Sequence, residues 1–415
     1  MQYDFTSILD RRGKDAIAVD IPAAADTSDP GSAYFAQAQL RPGFDQIPMW
    51  VADMNFPVVP TIQQAITERV AHPAFGYFTP REEYFEEIIR WHEVRNGVCG
   101  LKKEHIGYEN GVLGGVVSAL NVLCSRGDSV LLHAPTYIGF TNALGNNGYH
   151  MVLSFLKPDA AGIWRMDLED MEQKIVKYHI HAAVFCSPHN PTGRVWERAE
   201  LEAMMELFRK YDVYVISDEI WSDLILEGYR HIPLQSISED TRNRTIAFYA
   251  PSKTFNLAGL VGSYHIIYNR WLRERMKKES SLSHYNSMNV LSMYALIGAL
   301  QPEGYEWVDQ LCHVLTGNVR YACDFIREYF EGVRVADPQG TYMLFLDCEE
   351  WCRRHGVSIG ELQVRGLQVG VLWQDGRPFH GEYGIRMNLA LPFSRVQEAL
   401  DRLNRYVFHP DADGM

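Results

Sequence analysis

The stretch Thr245-Ile246-Ala247-Phe248-Tyr249-Ala250-Pro251-Ser252-Lys253-Thr254-Phe255-Asn256 is the most informative part of this chain. Its first five residues are β-prone and mostly apolar, so Lys253 is expected just beyond the carboxyl end of a strand. Ligands in open α/β sheets bind at that edge. A lysine there is either one partner of an ion pair or an amine that forms a Schiff base with a ligand.

A second strand-like run, Val213 to Ser217, ends in Asp218-Glu219. Charge is costly to bury unless something pairs with it. Lys253 and Asp218 therefore form an ion pair at the sheet edge or serve a ligand. An aspartate in that place suggests a partner for the pyridinium nitrogen of a cofactor. These two residues alone leave both interpretations open.

The bulk properties indicate a globular protein of two domains. The chain has 415 residues, of which 47% are hydrophobic and 22% charged, and this composition is typical of a folded, soluble protein. Its net charge of −13 disfavours nucleic acid or an anionic membrane as a partner. No apolar run is long enough to span a bilayer.

Cysteine and histidine usage indicates the compartment. The seven cysteines are scattered, and the N-terminal residues lack the basic and apolar regions of a secretion signal. We therefore expect a cytoplasmic protein without disulfides. The fifteen histidines follow no metal-ligand spacing, so no metal site is expected.

Between about residues 105 and 270, strand-like and helix-like stretches alternate. The predicted strands are Ser129–Leu132, Ala182–Cys186, Val213–Ser217 and Thr245–Tyr249. Helix formers fill residues 197–210, and apolar spacing predicts another helix over 61–70 with Thr61 as N-cap. This alternation predicts a mostly parallel sheet covered on both faces.

The two ends of the chain differ from this middle part. Residues 1–45 are rich in Asp, Ala, Gly and Pro and are expected to form an irregular N-terminal arm. A large domain is predicted over 46–300. Strand-like runs at 342–346 and 384–389 indicate a smaller α+β domain over 301–415.

Four further features could serve a ligand, and each has a plain structural alternative. The glycine-rich run 110–117 leads into a helix and suits an anion, or is a simple turn. Tyr137 could stack on a flat cofactor or be a core tyrosine. Asn190, in Asn-Pro-Thr-Gly, could hydrogen-bond a cofactor or only form a turn. Arg386, inside an apolar strand, suits a substrate carboxylate or a structural ion pair.

Together these residues resemble the fold-type I enzymes that use pyridoxal 5′-phosphate (PLP). The resemblance is closest to the MalY/PatB-like cystathionine β-lyases, or C–S lyases, which are related to the class I and II aminotransferases. It runs from about residue 45 to 405 and rests on several long motifs in the expected order. These motifs are Pro48-Met49-Trp50-Val51-Ala52-Asp53-Met54, Phe75-Gly76-Tyr77, the run Ser187 to Trp196 and the run Ser252 to Leu260.

The resemblance implies a large PLP-binding domain with a mostly parallel seven-stranded sheet covered by helices, plus a smaller α+β domain. Lys253 would bond to PLP and later act as the base at Cα. Asp218 would pair with the pyridinium nitrogen, Asn190 would hydrogen-bond the phenolic oxygen, and Tyr137 would stack on the ring. The phosphate would be bound by the backbone of Gly111, Val112 and Leu113, together with Ser252.

The resemblance also implies how substrate and a second subunit are bound. Arg386 would bind the α-carboxylate of an amino acid substrate, and the segment from Trp50 to Asp53 would line the substrate side. Tyr77 would reach the cofactor phosphate of a neighbouring subunit. A homodimer with a shared active site is therefore expected.

The chain departs from the related aminotransferases at three positions and from the lyase branch at a further one. Ala250 and Val261 replace a Ser and an Arg that usually bind the phosphate, so fewer charges anchor it. Trp221 stands near the ring oxygen, where aminotransferases have Tyr and the lyase branch typically has His. It is expected to contact the cofactor but cannot accept a proton. Asn55 replaces the second acid of the branch motif, which would alter selectivity for the substrate side chain.

These observations predict a PLP-dependent C–S β-lyase. It would cleave cystathionine or another cysteine S-conjugate to a thiol, pyruvate and ammonia. An aminotransferase is the alternative, because the same Lys, Asp and Arg serve a proton shift equally well. A purely regulatory role is a third hypothesis, disfavoured by the acidic charge and by the lack of a DNA-binding segment.

Overall fold

A computed structural model describes residues 1–23, 35, 38–283 and 286–409 of this chain. The strands are β1 (Ile47–Pro48), β2 (Ile106–Asn110), β3 (Ser129–Ala134), β4 (His150–Phe155), β5 (Lys157–Pro158), β6 (Trp164–Arg165), β7 (Ala182–Cys186), β8 (Tyr214–Asp218), β9 (Thr245–Tyr249), β10 (Gly262–Ile266), β11 (Arg334–Val335), β12 (Met343–Asp347), β13 (Val371–Leu372), β14 (Gln374–Asp375) and β15 (Gly384–Asn388).

The α-helices cover both faces of the main sheet and join the two larger sheets. They are α1 (Ile17–Ala23), α2 (Pro60–Ala71), α3 (Glu82–Asn96), α4 (Val112–Leu123), α5 (Ile138–Asn146), α6 (Leu168–Tyr178), α7 (Arg198–Lys210), α8 (Glu239–Arg244), α9 (Pro251–Thr254), α10 (Arg270–Ser283), α11 (Val290–Ala299), α12 (Pro302–Tyr329), α13 (Glu349–His355), α14 (Ile359–Gln368) and α15 (Phe393–Leu403). Among the described residues, none of these helices is long and apolar enough to cross a membrane.

The central sheet has seven strands in the order β2-β10-β9-β8-β7-β3-β4. β10 runs antiparallel to both of its neighbours, and all other neighbouring pairs are parallel. Every residue of β7 and β9 is buried, as expected for strands covered on both faces. The predicted mostly parallel seven-stranded sheet is confirmed.

A second, antiparallel sheet of four strands is built from the later part of the chain, in the order β11-β12-β15-β14. The 28-residue helix α12 precedes it and begins at Pro302. Its start lies next to the predicted boundary near residue 300. The division into domains at 46–300 and 301–415 stays a prediction, and residues 410–415 lie outside the described part.

The N-terminal arm is more ordered than expected. Residues 17–23 form α1, so the expectation of an irregular arm is wrong there. The carboxylate of Asp20 accepts hydrogen bonds from the backbone N–H groups of Gly13 and Ala16, both at 2.9 Å, which fixes the turn before the helix. Ala18 and Val19 are buried against the rest of the chain. Residues 24–34, 36 and 37 of the predicted arm lie outside the described residues.

Candidate active site

The carboxyl ends of the parallel strands meet at one edge of the central sheet. The strand order and directions place the ends of β2, β3, β7, β8 and β9 at this edge, beside the start of β10. Residues predicted from the sequence as functional follow these ends: Gly111 after β2, Tyr137 after β3, Asn190 after β7, Asp218 at the end of β8, and Ser252 and Lys253 after β9. The topology therefore collects them along one edge.

Lys253 lies in α9, a single turn that starts with Pro251 directly after β9. Its ammonium group donates a hydrogen bond to the carbonyl of Ala52 at 2.9 Å, and it lies 5.7 Å from the ring centre of Trp221. Burial lowers the pKa of Lys253 to about 8, with Arg386 adding to this effect and carboxylates nearby opposing it. This amine loses its proton more easily than an exposed lysine, which suits a nucleophile or a base.

Asp218 is a buried carboxyl group whose charge has little compensation from the protein. Burial raises its pKa to about 7, although a hydrogen bond from the backbone N–H of Ile220 at 3.1 Å and the charge of Lys253 both lower it. The ammonium of Lys253 donates to Ala52 instead of Asp218. A cation placed against Asp218 would relieve this cost, so the site fits a pyridinium ring.

Arg386 and Asn190, predicted from separate motifs, are in direct contact. The guanidinium of Arg386 donates to the side-chain oxygen of Asn190 at 3.2 Å and to the carbonyl of Trp50 at 2.9 Å. It also donates to the side-chain oxygen of Gln374 and lies over the ring of Phe379, 4.6 Å from its centre. All of these partners are uncharged. A guanidinium held in this way beside the cleft has the planar fork that suits the carboxylate of a substrate.

Tyr137 is the N-cap residue of α5, and burial raises the pKa of its phenol. Its ring lies over Gly139, where an added Cβ would come within 2.4 Å of a ring carbon. The ring also contacts Phe140 edge-on, with centres 5.4 Å apart. The glycine therefore allows the ring to lie against the start of the helix at the sheet edge.

The glycine-rich run forms a tight turn into α4. Gly111 has φ +83° and is the N-cap residue, so the backbone N–H groups of Val112 and Leu113 lie at the helix N-terminus. Asn110 pairs with Gly262 across the sheet, which brings Val261 alongside. A Cβ on Gly111 would be 3.7 Å from Val261. Val261 therefore lies next to the predicted phosphate cradle.

Trp221 and Tyr77 are in contrasting environments. Trp221 is fully buried, with its ring against Tyr342 at 4.8 Å and against the ammonium of Lys253. Tyr77 is fully exposed on the single protomer. An exposed position is what a residue that reaches a neighbouring subunit would have.

The substrate-side segment lies between the N-terminal arm and the cleft. The indole N–H of Trp50 donates to the carbonyl of Ala18 at 3.0 Å. The carboxylate of Asp53 forms a two-point ion pair with Arg11, at 3.0 and 2.5 Å. A cleft of about 790 Å³ opens beside this segment and is lined by Lys253, Arg386, Trp50, Tyr137, Gln374, Ile17 and Leu113, among others.

The sequence did not predict the roles of two residues that shape the site, Asn256 and Asn388. Asn256 bonds both the N–H and the carbonyl of Met54, at 3.0 and 2.9 Å. Asn388 donates to the carbonyls of Val51 and Asp53, both at 2.6 Å. Asn388 was detectable, because it is two residues from Arg386 in one strand and so shares its face.

Comparison with known sequences identifies the family to which a protein with this fold and site belongs. Residues 45–403 match the family described as aminotransferase class I and II. The chain belongs to this family. Within the described residues no group of three His, Cys, Asp or Glu side chains could hold a metal ion.

Comparison with individual proteins shows which members of the family this chain is similar to. The chain is 33% identical to the cystathionine β-lyase PatB of Bacillus subtilis, over 86% of this chain and 92% of the relative. It is 30% identical to the protein MalY of Escherichia coli, over 96% and 97% of the two chains. The solved structure of a PLP-bound C–S lyase from Staphylococcus hominis superposes with a TM-score of 0.86 at 28% identity, covering 99% of this chain and 100% of that one. The predicted MalY/PatB-like resemblance is confirmed.

Proposed function

We propose that this chain is a PLP-dependent C–S β-lyase that cleaves cystathionine or another cysteine S-conjugate to a thiol, pyruvate and ammonia. The names of PatB and of the Staphylococcus hominis enzyme support this assignment. The observation that carries it is the partly buried Lys253 amine, which lies in one cleft with Arg386 and has Asp218 among the charges that act on it.

The site fits PLP through the chemistry of its donors. Lys253 would hold the cofactor covalently, Asp218 would pair with its ring nitrogen, and Asn190 would bond its phenolic oxygen. Tyr137 would lie on the ring face, with Trp221 also in contact. The phosphate would be held by Ser252 and by the N–H groups of Gly111, Val112 and Leu113. When bound, PLP supplies an electron sink for negative charge that develops at Cα.

The residues of this chain orient the substrate and move one proton. Arg386, fixed by Asn190, Gln374 and the Trp50 carbonyl, binds the α-carboxylate of the substrate. This contact turns the Cα–H bond toward Lys253, whose amine would take the proton once the amino group of the substrate has replaced it on the cofactor. Such orientation is a large part of the rate enhancement available to the site. The C–S bond then breaks with its electron pair on sulfur, and water converts the remaining fragment to pyruvate and ammonia.

The walls of the cleft favour an uncharged S-substituent. On this protomer they include Ile17, Leu113, Val117 and Ile138, and the polar side chains Asn142 and Gln374 carry no charge. Apart from Lys253 and Arg386, the described residues that line this cleft offer no ionic partner to the distal amino and carboxylate groups of cystathionine, which would lose water there. We therefore expect S-alkyl and S-aryl cysteines to be cleaved at least as well as cystathionine.

Release of pyruvate tests the lyase assignment. The PLP-loaded protein is incubated with cystathionine, S-methylcysteine and S-benzylcysteine, and pyruvate is measured by coupling to lactate dehydrogenase. A variant with Lys253→Ala is the control and is expected to release none. Absence of pyruvate from the wild-type protein with all of these compounds would overturn the assignment. Borohydride reduction followed by peptide mass analysis locates the modified lysine.

An aminotransferase is the second candidate, favoured by the family to which the chain belongs. The same lysine, aspartate and arginine could also serve a proton shift that leaves the amino group of the substrate on the cofactor. The two activities are separated by their products. Transfer of an amino group to an added 2-oxo acid, without release of a thiol, would decide for the transferase.

A homodimer with a shared active site is part of the proposal, supported by the full exposure of Tyr77.

Complementation between two variants tests the shared site. Tyr77→Ala and Lys253→Ala proteins would each be inactive or nearly so. Mixed dimers, formed by unfolding and refolding the two together, contain one site with both residues intact and should recover activity. No recovery in verified mixed dimers would show that each site is complete within one subunit.

We also infer a cytoplasmic location, supported by seven free cysteines.

A further inference from the structure

Residues 50–55, here called the bridging segment, connect the two groups on which the proposed function depends. The carbonyl of Trp50 accepts a hydrogen bond from Arg386, and the carbonyl of Ala52 accepts one from Lys253, each at 2.9 Å. The two acceptors are two residues apart in one stretch of backbone. Any shift of this backbone therefore moves the partners of both side chains together.

Arg11, from the N-terminal arm, holds the bridging segment through three consecutive residues. Its guanidinium binds both carboxylate oxygens of Asp53, at 3.0 and 2.5 Å. It also donates to the carbonyl of Met54 at 3.3 Å and to the side-chain oxygen of Asn55 at 3.2 Å. The side chains of Arg11 and Asp53 are only 15% and 17% exposed, so solvent screens this ion pair less than one on the surface.

The charge of Asp53 reaches Lys253. Asp53 and Asp218 raise the pKa of Lys253, while burial and Arg386 lower it. Arg11 places a full positive charge directly against Asp53 and so offsets its effect. Because Asn55 stands where the branch motif usually has a second acid, the guanidinium of Arg11 faces a single carboxylate in this segment, that of Asp53. The charges of these two side chains therefore balance.

We propose that Arg11 is a positioning residue that, through the bridging segment, sets the orientation of Lys253 and Arg386 and the reactivity of the Lys253 amine. The inference rests on the roles proposed above for Lys253 and Arg386. Asn256 and Asn388 also hold the segment, through Met54 and through Val51 and Asp53. Loss of Arg11 should therefore let the segment shift locally without unfolding it, and it should release the Asp53 carboxylate beside the cleft.

Arg12 offers a matched control one residue away. Its guanidinium pairs only with the neighbouring Asp10 among the salt bridges of the described residues, and the two side chains are 76% and 62% exposed. Arg12→Gln removes the same charge from the arm as Arg11→Gln. Any difference between the two variants is then due to the contacts with the bridging segment.

The first measurement needs no cofactor and no turnover. PLP-free protein is treated with acetic anhydride over pH 6 to 11, and acetylation of Lys253 is followed by peptide mass spectrometry. In wild-type protein and in Arg12→Gln, Lys253 should reach half of its maximal acetylation rate near pH 8, because burial lowers its pKa to about 8. Arg11→Gln should shift this midpoint upward by about half a pH unit or more, because the uncompensated Asp53 favours the ammonium form.

The second measurement uses the PLP-loaded protein. We expect Arg11→Gln to raise KM for an S-alkyl cysteine and to lower kcat, by about fivefold to tenfold each, while Arg12→Gln changes neither. Arg11→Lys keeps the charge but loses the two-point contact. It should keep the wild-type midpoint of Lys253 and still raise KM. This variant also serves if Arg11→Gln does not fold.

Equal acetylation midpoints and equal KM values for wild type, Arg11→Gln and Arg12→Gln would overturn the inference. A lower thermal stability of Arg11→Gln with an unchanged acetylation midpoint of Lys253 would also overturn it. Arg11 would then stabilise the fold without acting on Lys253. If wild-type protein releases no pyruvate, the proposed lyase function fails. The acetylation midpoints still decide whether Arg11 acts on Lys253.

Discussion

Replacing Asp218 with asparagine is expected to stabilise the PLP-free protein at neutral and alkaline pH while it weakens PLP binding. The wild-type carboxyl is buried, and its pKa rises from 3.8 to about 7, chiefly because burial disfavours the charged form. Asparagine has nearly the same shape and no charge. The substitution therefore removes a cost that the folded protein bears whenever Asp218 is ionised.

The magnitude follows from the pKa and has a definite pH window. A carboxyl whose pKa is higher in the folded state binds more protons there, so stability falls as pH rises from about 4 to about 7. The difference between 3.8 and about 7 corresponds to about 4 kcal/mol, at about 1.4 kcal/mol per pKa unit. At pH 4 the cost is already small, and well below pH 3.8 it disappears because the carboxyl is protonated in both states.

Urea unfolding of PLP-free wild-type and Asp218→Asn proteins at pH 4, 5.5, 7 and 8.5 measures this difference. The two free energies of unfolding should agree at pH 4 and diverge to about 4 kcal/mol in favour of the variant at pH 8.5. Addition of PLP should stabilise wild type far more than the variant, because a cation then meets the carboxylate. A variant that is less stable than wild type at pH 8.5, or a difference independent of pH, would refute the reasoning.

Three further predictions concern single contacts in the site. Arg386→Lys should raise the dissociation constant of a carboxylate-bearing competitive inhibitor about 30-fold, on the order of 2 kcal/mol, because an ammonium cannot reproduce the planar fork; an unchanged constant in calorimetry would contradict this role. Val261→Arg should tighten PLP binding about fivefold, on the order of 1 kcal/mol, by adding charge beside Gly111; fluorescence titration of PLP measures it, and Val261→Gln controls for size. Gly139→Ala should lower the thermal midpoint and weaken PLP binding, because the new methyl would lie 2.4 Å from the Tyr137 ring; an unaltered PLP absorption spectrum and affinity would show that the ring position does not matter.

The central strands were predictable because they are buried on both faces. β7 and β9 have the predicted bounds, and helix α7 begins within one residue of prediction, at Arg198. Continuous apolar runs signal such strands. β2 and β10, whose sequences are Ile-Gly-Tyr-Glu-Asn and Gly-Ser-Tyr-His-Ile, contain no such run, and the sequence alone did not reveal them.

Local rules failed where a neighbouring residue changed the backbone. Thr61 was expected to cap α2, but the helix begins at Pro60 with Val59 as N-cap and no side-chain cap bond. Proline lacks an N–H and fits the first helical position, so it fixed the start. The short helix α1 was missed because it is stabilised by burial against distant residues.

Asp218, Asn190, Tyr137 and Lys253 were predictable because each ends or follows a strand, whereas Arg386 was noticed as a charge inside an apolar strand, β15. Asn190 and Arg386 came from motifs almost two hundred residues apart, and their contact joins β15 of the second sheet to the edge of the central one. The contact of Arg11 with Asp53 could not be predicted in this way. It joins positions 42 residues apart, and Arg11 lies in no strand, helix or recurrent motif.

The two hydrogen bonds that the bridging segment accepts have a consequence for how this sequence can change in length. Connecting segments usually tolerate insertions and deletions. Here a single residue added or removed between positions 50 and 52 would uncouple the two acceptor carbonyls from Lys253 and Arg386. We expect variant libraries to accept many substitutions at Val51, whose carbonyl rather than its side chain bonds Asn388, but no change of length there.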